Sequence, residues 1–433
     1  MNKYVIFLCI VLCFLFFVFY FPQALAFSGS GSGTPNDPFQ ITTNNQLNEI
    51  RSNLSASYIL MNDLDFTGSN IPWEPIGDFQ NKTYFSGQLN GNGKIIQNLN
   101  ISSPKGSYSG LFAYISPRGE LTNLSLVNPS VSSESIAGSF AGDNYGLIHN
   151  CSAINVEMYS KDNLGGLVGS NSGSISNSRV TGKLFGENMV GGFSGTNYNL
   201  INNCSVAGFI NGKGNSIGGF VGNNYQGKIQ DCYFMGSVSG NDVVGGLVGQ
   251  NYEGLIDNCY VAGTVFAENG RVGGLAGKNL GILKYSMALN KEISLGAQYF
   301  KSENQKSVGK ITGINEYPGT IYWCSSWDGM MTNAKFRKEK SKREYVSSVS
   351  SEEIWGTFGN KFCWSGYDYY WTLKDFENYQ LPVFEWQTES PGDASYLNPE
   401  NSAEKSKSIP GFELIFGILA LAGVAFVYRK MRR

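Results

Sequence analysis

One glycine-rich motif recurs along the chain at almost constant spacing, and that period constrains the fold more than any other feature. Its closing glycine appears as Gly142 in AGSFAG, Gly169 in LGGLVG, Gly195 in VGGFSG, Gly222 in IGGFVG, Gly249 in VGGLVG and Gly277 in VGGLAG, at intervals of 27, 26, 27, 27 and 28 residues. YSGLFA, Tyr108 to Ala113, is an imperfect first copy, and GKITGINEYPGTIYWC, Gly309 to Cys324, is a degenerate last one. A unit this short cannot bury a hydrophobic face alone, so the copies must stack on one another.

Within each unit the residue types repeat in fixed places. Two residues after the glycine stands Asn144, Asn171, Asn197, Asn224, Asn251 or Asn279, and next to four of these stand Tyr145, Tyr198, Tyr225 and Tyr252. An apolar residue follows (Ile148, Ile175, Ile201, Ile229, Ile256, Leu283), and then a small one: Cys151, Ser178, Cys204, Cys232, Cys259 or Ser286. Short β-prone pieces such as GKL, GFI, GSV and GTV close the unit, and no stretch carries a helical period. Three short strands per 26 to 28 residues fit one coil of a right-handed parallel β-helix, an all-β solenoid in which each strand pairs with its equivalent about 4.8 Å away. A propeller blade needs four strands and about 40 residues, and the leucine framework of a horseshoe is absent.

Stacking gives each position a chemistry. Asparagine tolerates the left-handed backbone, and a column of amides can bond from coil to coil, so Asn144 through Asn279 are expected to form a structural ladder. The tyrosines Tyr145, Tyr198, Tyr225 and Tyr252 are expected outside, as a stack or a contact strip for saccharide. Cys151, Ser178, Cys204, Cys232 and Cys259 form a column of small buried residues; a metal would want ligands converging on one point. Cys324 and Cys363 remain as a candidate disulfide at the end of the array. No cofactor motif is present.

The termini place the body outside the cell. Lys3, an apolar run from Val5 to Phe21 and a small-x-small site at Ala24 and Ala26 read as a secretory signal peptide. At the other end Leu414 to Tyr428 is apolar and is followed by Arg429, Lys430, Arg432 and Arg433. The chain carries a net charge of −2, and the body without these segments is more acidic still, which excludes nucleic acid as a partner. Charged residues are only 15% while aromatics reach 14%, a balance of turn-rich β structure and not of disorder. Asn53, Asn81, Asn100 and Asn123 begin sequons and are candidate N-glycan sites; Asn150 and Asn203 also begin sequons but adjoin the small-residue column. Thr43 to Leu54, with Leu47, Ile50 and Leu54 at helical spacing, predicts a short capping helix. The expected organisation is a signal peptide (1–26), the start of the helix with its N-terminal cap (27–107), the repeats (108–290), a degenerate coil with an aromatic-rich C-terminal cap (291–387), a flexible stalk (388–409) and a sorting signal or transmembrane tail (410–433).

The units GGLVGSNSGSISNSRVTGKLFG and GGLVGQNYEGLIDNCYVAGTV resemble the GLUG repeat of bacterial and archaeal surface proteins. The segment GSGTPNDPFQITTNNQLNEI with YILMNDLDFTG and FSGQLNGNGKIIQNLNI is similar to the module that precedes such repeats in β-helical adhesin-like proteins. Pro410, Gly411 and Phe412 ahead of the apolar tail resemble the PGF-type sorting signal of archaeal surface proteins. That resemblance implies removal of the tail by an archaeosortase-like enzyme and attachment through a lipid. Together these imply a non-catalytic, adhesin-like protein on the outer side of the cytoplasmic membrane, touching envelope, extracellular polysaccharide or a neighbouring cell.

The alternative function is a polysaccharide lyase or glycoside hydrolase, which requires paired carboxylates in a groove. Asp143, Asp162, Asp231, Glu253 and Asp257 occur singly. GLUG repeats also accompany immunoglobulin-cleaving metallopeptidases, but His149 is the sole histidine and H-E-x-x-H is absent, which excludes a histidine-based zinc peptidase.

Overall fold

The computed structural model describes residues 27–69, 71–102, 108–296, 308–327 and 329–333, together with the backbone of 346–349. It is a parallel β-solenoid with three sheets running along one axis. A representative coil runs through Val248–Tyr252, Leu255–Asp257, Tyr260–Ala267 and Val272–Gly273 before Ala276–Asn279 begins the next. The first strand belongs to an eight-stranded sheet, here the asparagine sheet; the second to an eleven-stranded sheet of three-residue strands; the last two to a broad sheet that turns a corner.

Equivalent residues of successive units lie side by side. Asn224 pairs with Asn251 and Asn251 with Asn279, Ile229 with Ile256 and Ile256 with Leu283, and Val238 with Val265. Since the side-chain period of a strand is two, this in-register pairing keeps each apolar file inside for the length of the stack. Ile148, Ile175, Ile201, Ile229, Ile256 and Leu283 form one interior file, and Leu167, Phe193, Phe220, Leu247 and Leu275 another, all fully buried. Phe193 and Phe220 stack with centroids 4.9 Å apart and planes within 12°. Burying each such side chain contributes roughly 1.5–3 kcal/mol, but only where a neighbouring coil supplies the other half of the contact.

The closing pieces of the repeat are longer than the sequence suggests. GKL and GSV lie inside continuous strands, Arg179–Gly191 and Tyr233–Gly240. The strand bends there without ending because Gly182 and Gly236 adopt φ of +138° and +143°, and a Cβ on Gly236 would overlap the carbonyl of Gly208. The segment following Phe85 holds three short strands, Gln88–Asn90, Ile95–Gln97 and Asn100–Ser102.

At the N-terminal end a helix over Asn44–Glu49 continues as a 3-10 turn, Ile50–Ser52. Thr43 and Gln46 form a reciprocal capping box that ties down its first turn. Leu47 and Ile50 are fully buried against the first coil, so the helix covers an open end of the core. The first strand, Phe39–Ile41, pairs with Ser57–Leu60, and the stack then runs without interruption to Thr320–Tyr322 in the short-strand sheet. Cys363, the signal peptide, the stalk, Pro410, Gly411 and Phe412 lie outside the described residues.

Candidate contact face

The corner after the asparagine sheet is held by a continuous amide chain. Asn144 Nδ2 donates to Asn171 Oδ1 at 2.8 Å, and the same bond recurs from Asn171 to Asn197, Asn197 to Asn224, Asn224 to Asn251, Asn251 to Asn279 and Asn279 to Asn315 at 2.8–2.9 Å. The second N–H of each amide turns back to its own coil, as in Asn224 to the Gly227 carbonyl at 3.0 Å. Asn144, Asn171, Asn197, Asn224, Asn251 and Asn279 are all 0% exposed. Every donor points toward the C-terminal end, so the bonds polarise one another in one direction.

A second amide file stands where the short-strand sheet meets the broad one. Asn123, Asn150, Asn177, Asn203, Asp231 and Asn258 occupy it, each with φ between 51° and 54°. Its bonds run the opposite way: Asn150 Nδ2 donates to Asn123 Oδ1 at 2.8 Å and Asn123 Nδ2 to Asn90 Oδ1 at 3.2 Å. The sequence signal for this file is the Asn or Asp directly before each Cys or Ser of the small-residue column. Among the sequons, Asn53, Asn81 and Asn100 are exposed, while Asn123 is half-buried with its amide nitrogen committed to Asn90. The Asn81 nitrogen is donated to Asp78 at 2.6 Å.

The cysteines line the interior. Cys151, Cys204, Cys232 and Cys259 are fully buried thiols, each donating to the carbonyl two residues back in its own coil, as Cys232 does to Gln230 at 3.0 Å. Ser178 substitutes by the same bond, to Ser176 at 2.8 Å, and its hydroxyl also accepts from the Cys151 amide. Burial pushes the Cys151 thiol up to about 12, so it stays protonated and unreactive. Cys324 continues the file, buried and donating to the Tyr322 carbonyl at 3.4 Å.

Outside the amide ladder lies a band of aromatic rings. Tyr145, Tyr198 and Tyr225 are exposed, and Tyr252 is half-buried. Tyr225 and Tyr252 stack at 4.9 Å with planes 8° apart, and Tyr198 meets Tyr225 at 5.7 Å and 57°. Four rings not singled out from the sequence extend the band: Tyr114 stacks on Tyr145 at 5.0 Å, Tyr84 lies tilted against Tyr114 at 4.4 Å, and Phe79 packs against Tyr108 at 4.8 Å. They escape the repeat because Phe79 and Tyr84 come from the irregular first coils, and Tyr114 sits two register positions from the tyrosine file, paired with Asp143.

Asp143 lies beneath these rings. It is 7% exposed, Oδ1 has no hydrogen-bond partner among the described residues, and burial raises its carboxyl to about 6 against weaker opposing bonds from Ser170 and the Asn144 amide. Of the other carboxylates, the fold brings Asp231 and Asp257 onto adjacent coils, where the Asp231 amide donates to the Asp257 carbonyl at 3.2 Å. Burial raises the Asp231 carboxyl, and Asp257, itself buried, holds Lys284 at 3.2 Å. Asp162 takes a long bond from Asn188 at 3.4 Å, and Glu253 accepts from Gln226 at 2.9 Å. His149 Nδ1 meets Ser176 Oγ at 2.8 Å within the short-strand sheet.

Parts of the chain are similar to known proteins. The chain is 35% identical over 164 residues to a protein of Evansella cellulosilytica named "Putative Gly-rich membrane protein", covering 35% of this chain and 19% of that protein. It is 33% identical over 132 residues to Halomucin of Haloquadratum walsbyi, covering 28% of this chain and 1% of Halomucin. The chain therefore spans a small part of either relative. A crystal structure from Bacteroides ovatus, described as a "putative immunoglobulin A1 protease", aligns over 82% of this chain and 95% of that one, with 19% identity and a TM-score of 0.43. The GLUG motif matches residues 162–184, 213–239 and 240–265, and the PGF-CTERM motif matches residues 409–430. The chain is thus a β-solenoid that contains GLUG motifs in its central coils and a PGF-CTERM motif near its C-terminal end.

Proposed function

We propose that this protein is a non-catalytic, adhesin-like scaffold on the cell surface, presenting the aromatic band of its solenoid to extracellular polysaccharide or to the envelope of a neighbouring cell. The observation that carries this reading is the row of outward tyrosines, Tyr145, Tyr198 and Tyr225, fixed to a corner whose amides are bonded from Asn144 through to Asn315. Repeated, rigidly spaced groups suit multivalent attachment, since each contact after the first is intramolecular. The PGF-CTERM motif supports a membrane-proximal C-terminus on the outer side, with processing by an archaeosortase-like enzyme and lipid attachment as the finer expectation.

Two measurements test this. Sedimentation of the full chain with isolated envelopes and with extracellular polysaccharide should show binding that a combined Tyr145→Ser, Tyr198→Ser, Tyr225→Ser variant loses by at least about tenfold. Unchanged binding by a variant that melts like the parent would remove the aromatic face from the function. For the anchor, the intact mass of envelope-extracted protein should lack residues 413–433; a mass that retains them means the tail spans the membrane unprocessed.

A further inference from the structure

Six sequons occur in the chain, and the fold presents them differently. In four of them the middle residue belongs to the core: Ile101, Leu124, Cys151 and Cys204, which follow Asn100, Asn123, Asn150 and Asn203, are all 0% exposed. Leu54, after Asn53, packs against the same core. Asn81, Lys82 and Thr83 are each exposed, and theirs is also the one sequon of the six that ends in threonine. A transferase must grip the chain on both sides of its asparagine, so a buried middle residue closes a folded sequon to it.

The loop that carries Asn81 is built from local bonds. Asp78 and Thr83 exchange backbone hydrogen bonds at 2.8 and 2.9 Å, and the Lys82 amide closes a turn on the Phe79 carbonyl at 3.3 Å. Lys82 takes φ of +55°, the left-handed step with which such a turn rejoins its strand. The Asp78 carboxylate accepts from the Asn81 and Gln80 amides at 3.3 and 2.8 Å and from Asn81 Nδ2 at 2.6 Å. The Asn81 amide foremost, with the other two donors, holds that carboxyl below the usual carboxylate range. Every one of these contacts lies between Asp78 and Thr83, so the loop can form before the coils stack.

Phe79 opens the same turn. Its ring is 43% exposed at the N-terminal edge of the aromatic band, with Tyr108 at 4.8 Å, Tyr114 at 5.8 Å and Tyr84 at 6.1 Å. The ends of a four-residue turn lie within about 7 Å, so a pyranose about 5 Å across, attached to the third residue, reaches the first. Three neighbouring rings already hold Phe79 in place, and little side-chain freedom remains to be lost when a sugar meets it.

We propose that Asn81 is the N-glycosylated residue of this protein and that its first sugar rests on the exposed side of Phe79. The donor is a lipid-linked glycosyl phosphate or diphosphate. Asn81 Nδ2 bonds to the anomeric carbon, the carbon–oxygen bond to the phosphate breaks with its electron pair on the departing lipid phosphate, and one Nδ2 proton passes to a base of the transferase. The second Nδ2–H remains, so the bond to Asp78 survives the modification. Covering a C–H face of the sugar with an aromatic ring stabilises the modified turn. This goes beyond the contact role of the band: the chain's own glycan covers its N-terminal end and leaves Tyr198, Tyr225 and Tyr252 to other molecules.

The test uses full-length protein extracted from the envelopes of its own cells, digested and read by mass spectrometry. Peptides that contain Asn81 should carry a glycan mass in more than about half of the copies, with Asn123, Asn150 and Asn203 unmodified. Asn81→Gln should abolish that addition. Phe79→Ser should lower occupancy at Asn81 by about threefold or more, while Phe79→Tyr, which keeps a ring, should change it less than about 1.5-fold. Unmodified Asn81 in the native protein, or equal occupancy at any of the other five sequons, overturns the assignment, and this result is read on the parent chain whatever the variants do. A Phe79→Ser protein that melts like the parent and is glycosylated as fully overturns the contact between the sugar and Phe79.

Discussion

Asn224 is wholly buried, yet its amide is fully engaged: Oδ1 accepts from Asn197, while Nδ2 donates to Asn251 and to the Gly227 carbonyl. Asn224→Ala strands a buried donor below and a buried acceptor above, and should lower unfolding free energy by about 2–4 kcal/mol in chemical denaturation. Asn224→Asp should be worse at neutral pH, since an acceptor-only carboxylate then faces Asn251 Oδ1, and should recover partly on acidification. Asp143 gives the opposite case, a buried acid that costs stability. Its folded pKa lies above the usual carboxylate value, so below about pH 4 both folded and unfolded chains are protonated and no penalty exists. As pH rises from about 4 to 6 the unfolded chain releases the proton first, and the folded state loses stability. Asp143→Asn should therefore melt higher than the parent at pH 7, by about 1–3 kcal/mol, with the difference vanishing below about pH 4.

Strands of three to five residues would be too short to persist singly, and here they persist because each lies between two copies of itself. The glycines that let the broad sheet bend are correspondingly intolerant. Gly236 holds φ of +143° with its α-carbon against the Gly208 backbone, and Gly263 stands against Gly236 in the same way. Gly236→Ala should cost more than about 2 kcal/mol and open the coil pairing on both sides, visible as loss of amide protection in Ser205–Gly212 and Tyr260–Ala267 before the rest of the stack exchanges. These elements were partly legible in advance. The glycine in GSV and GTV announces a corner in the sequence, but whether the strand stops there or bends through it depends on the carbonyl it packs against, which belongs to another coil.

For the whole molecule, stability is a sum over coils and their interfaces. Deleting residues 222–248 joins Val221 to Gly249 and restores every file, since Val221 and Val248 are register partners. That shortened chain should fold with the same circular dichroism shape and a modestly lower melting temperature. Deleting half as many residues from the same point moves the asparagines off their ladder and the isoleucines out of the core, and should give no cooperative transition. Equal melting of the two would refute the additive stack.

The sequence by itself determined the period, and with it the parallel stacking, the interior files and the alignment of Asn144 through Asn279, because in a solenoid a fixed interval in the chain is a fixed translation in space. Tertiary structure alone decided the opposed directions of the two amide files, the burial of Asp143, and the arrival of Phe79 and Tyr84 beside Tyr114 and of Tyr114 beside Tyr145. Those contacts join irregular first coils to regular later ones. Where a segment departs from the period, its level in the stack is set by packing, and no interval in the sequence records it.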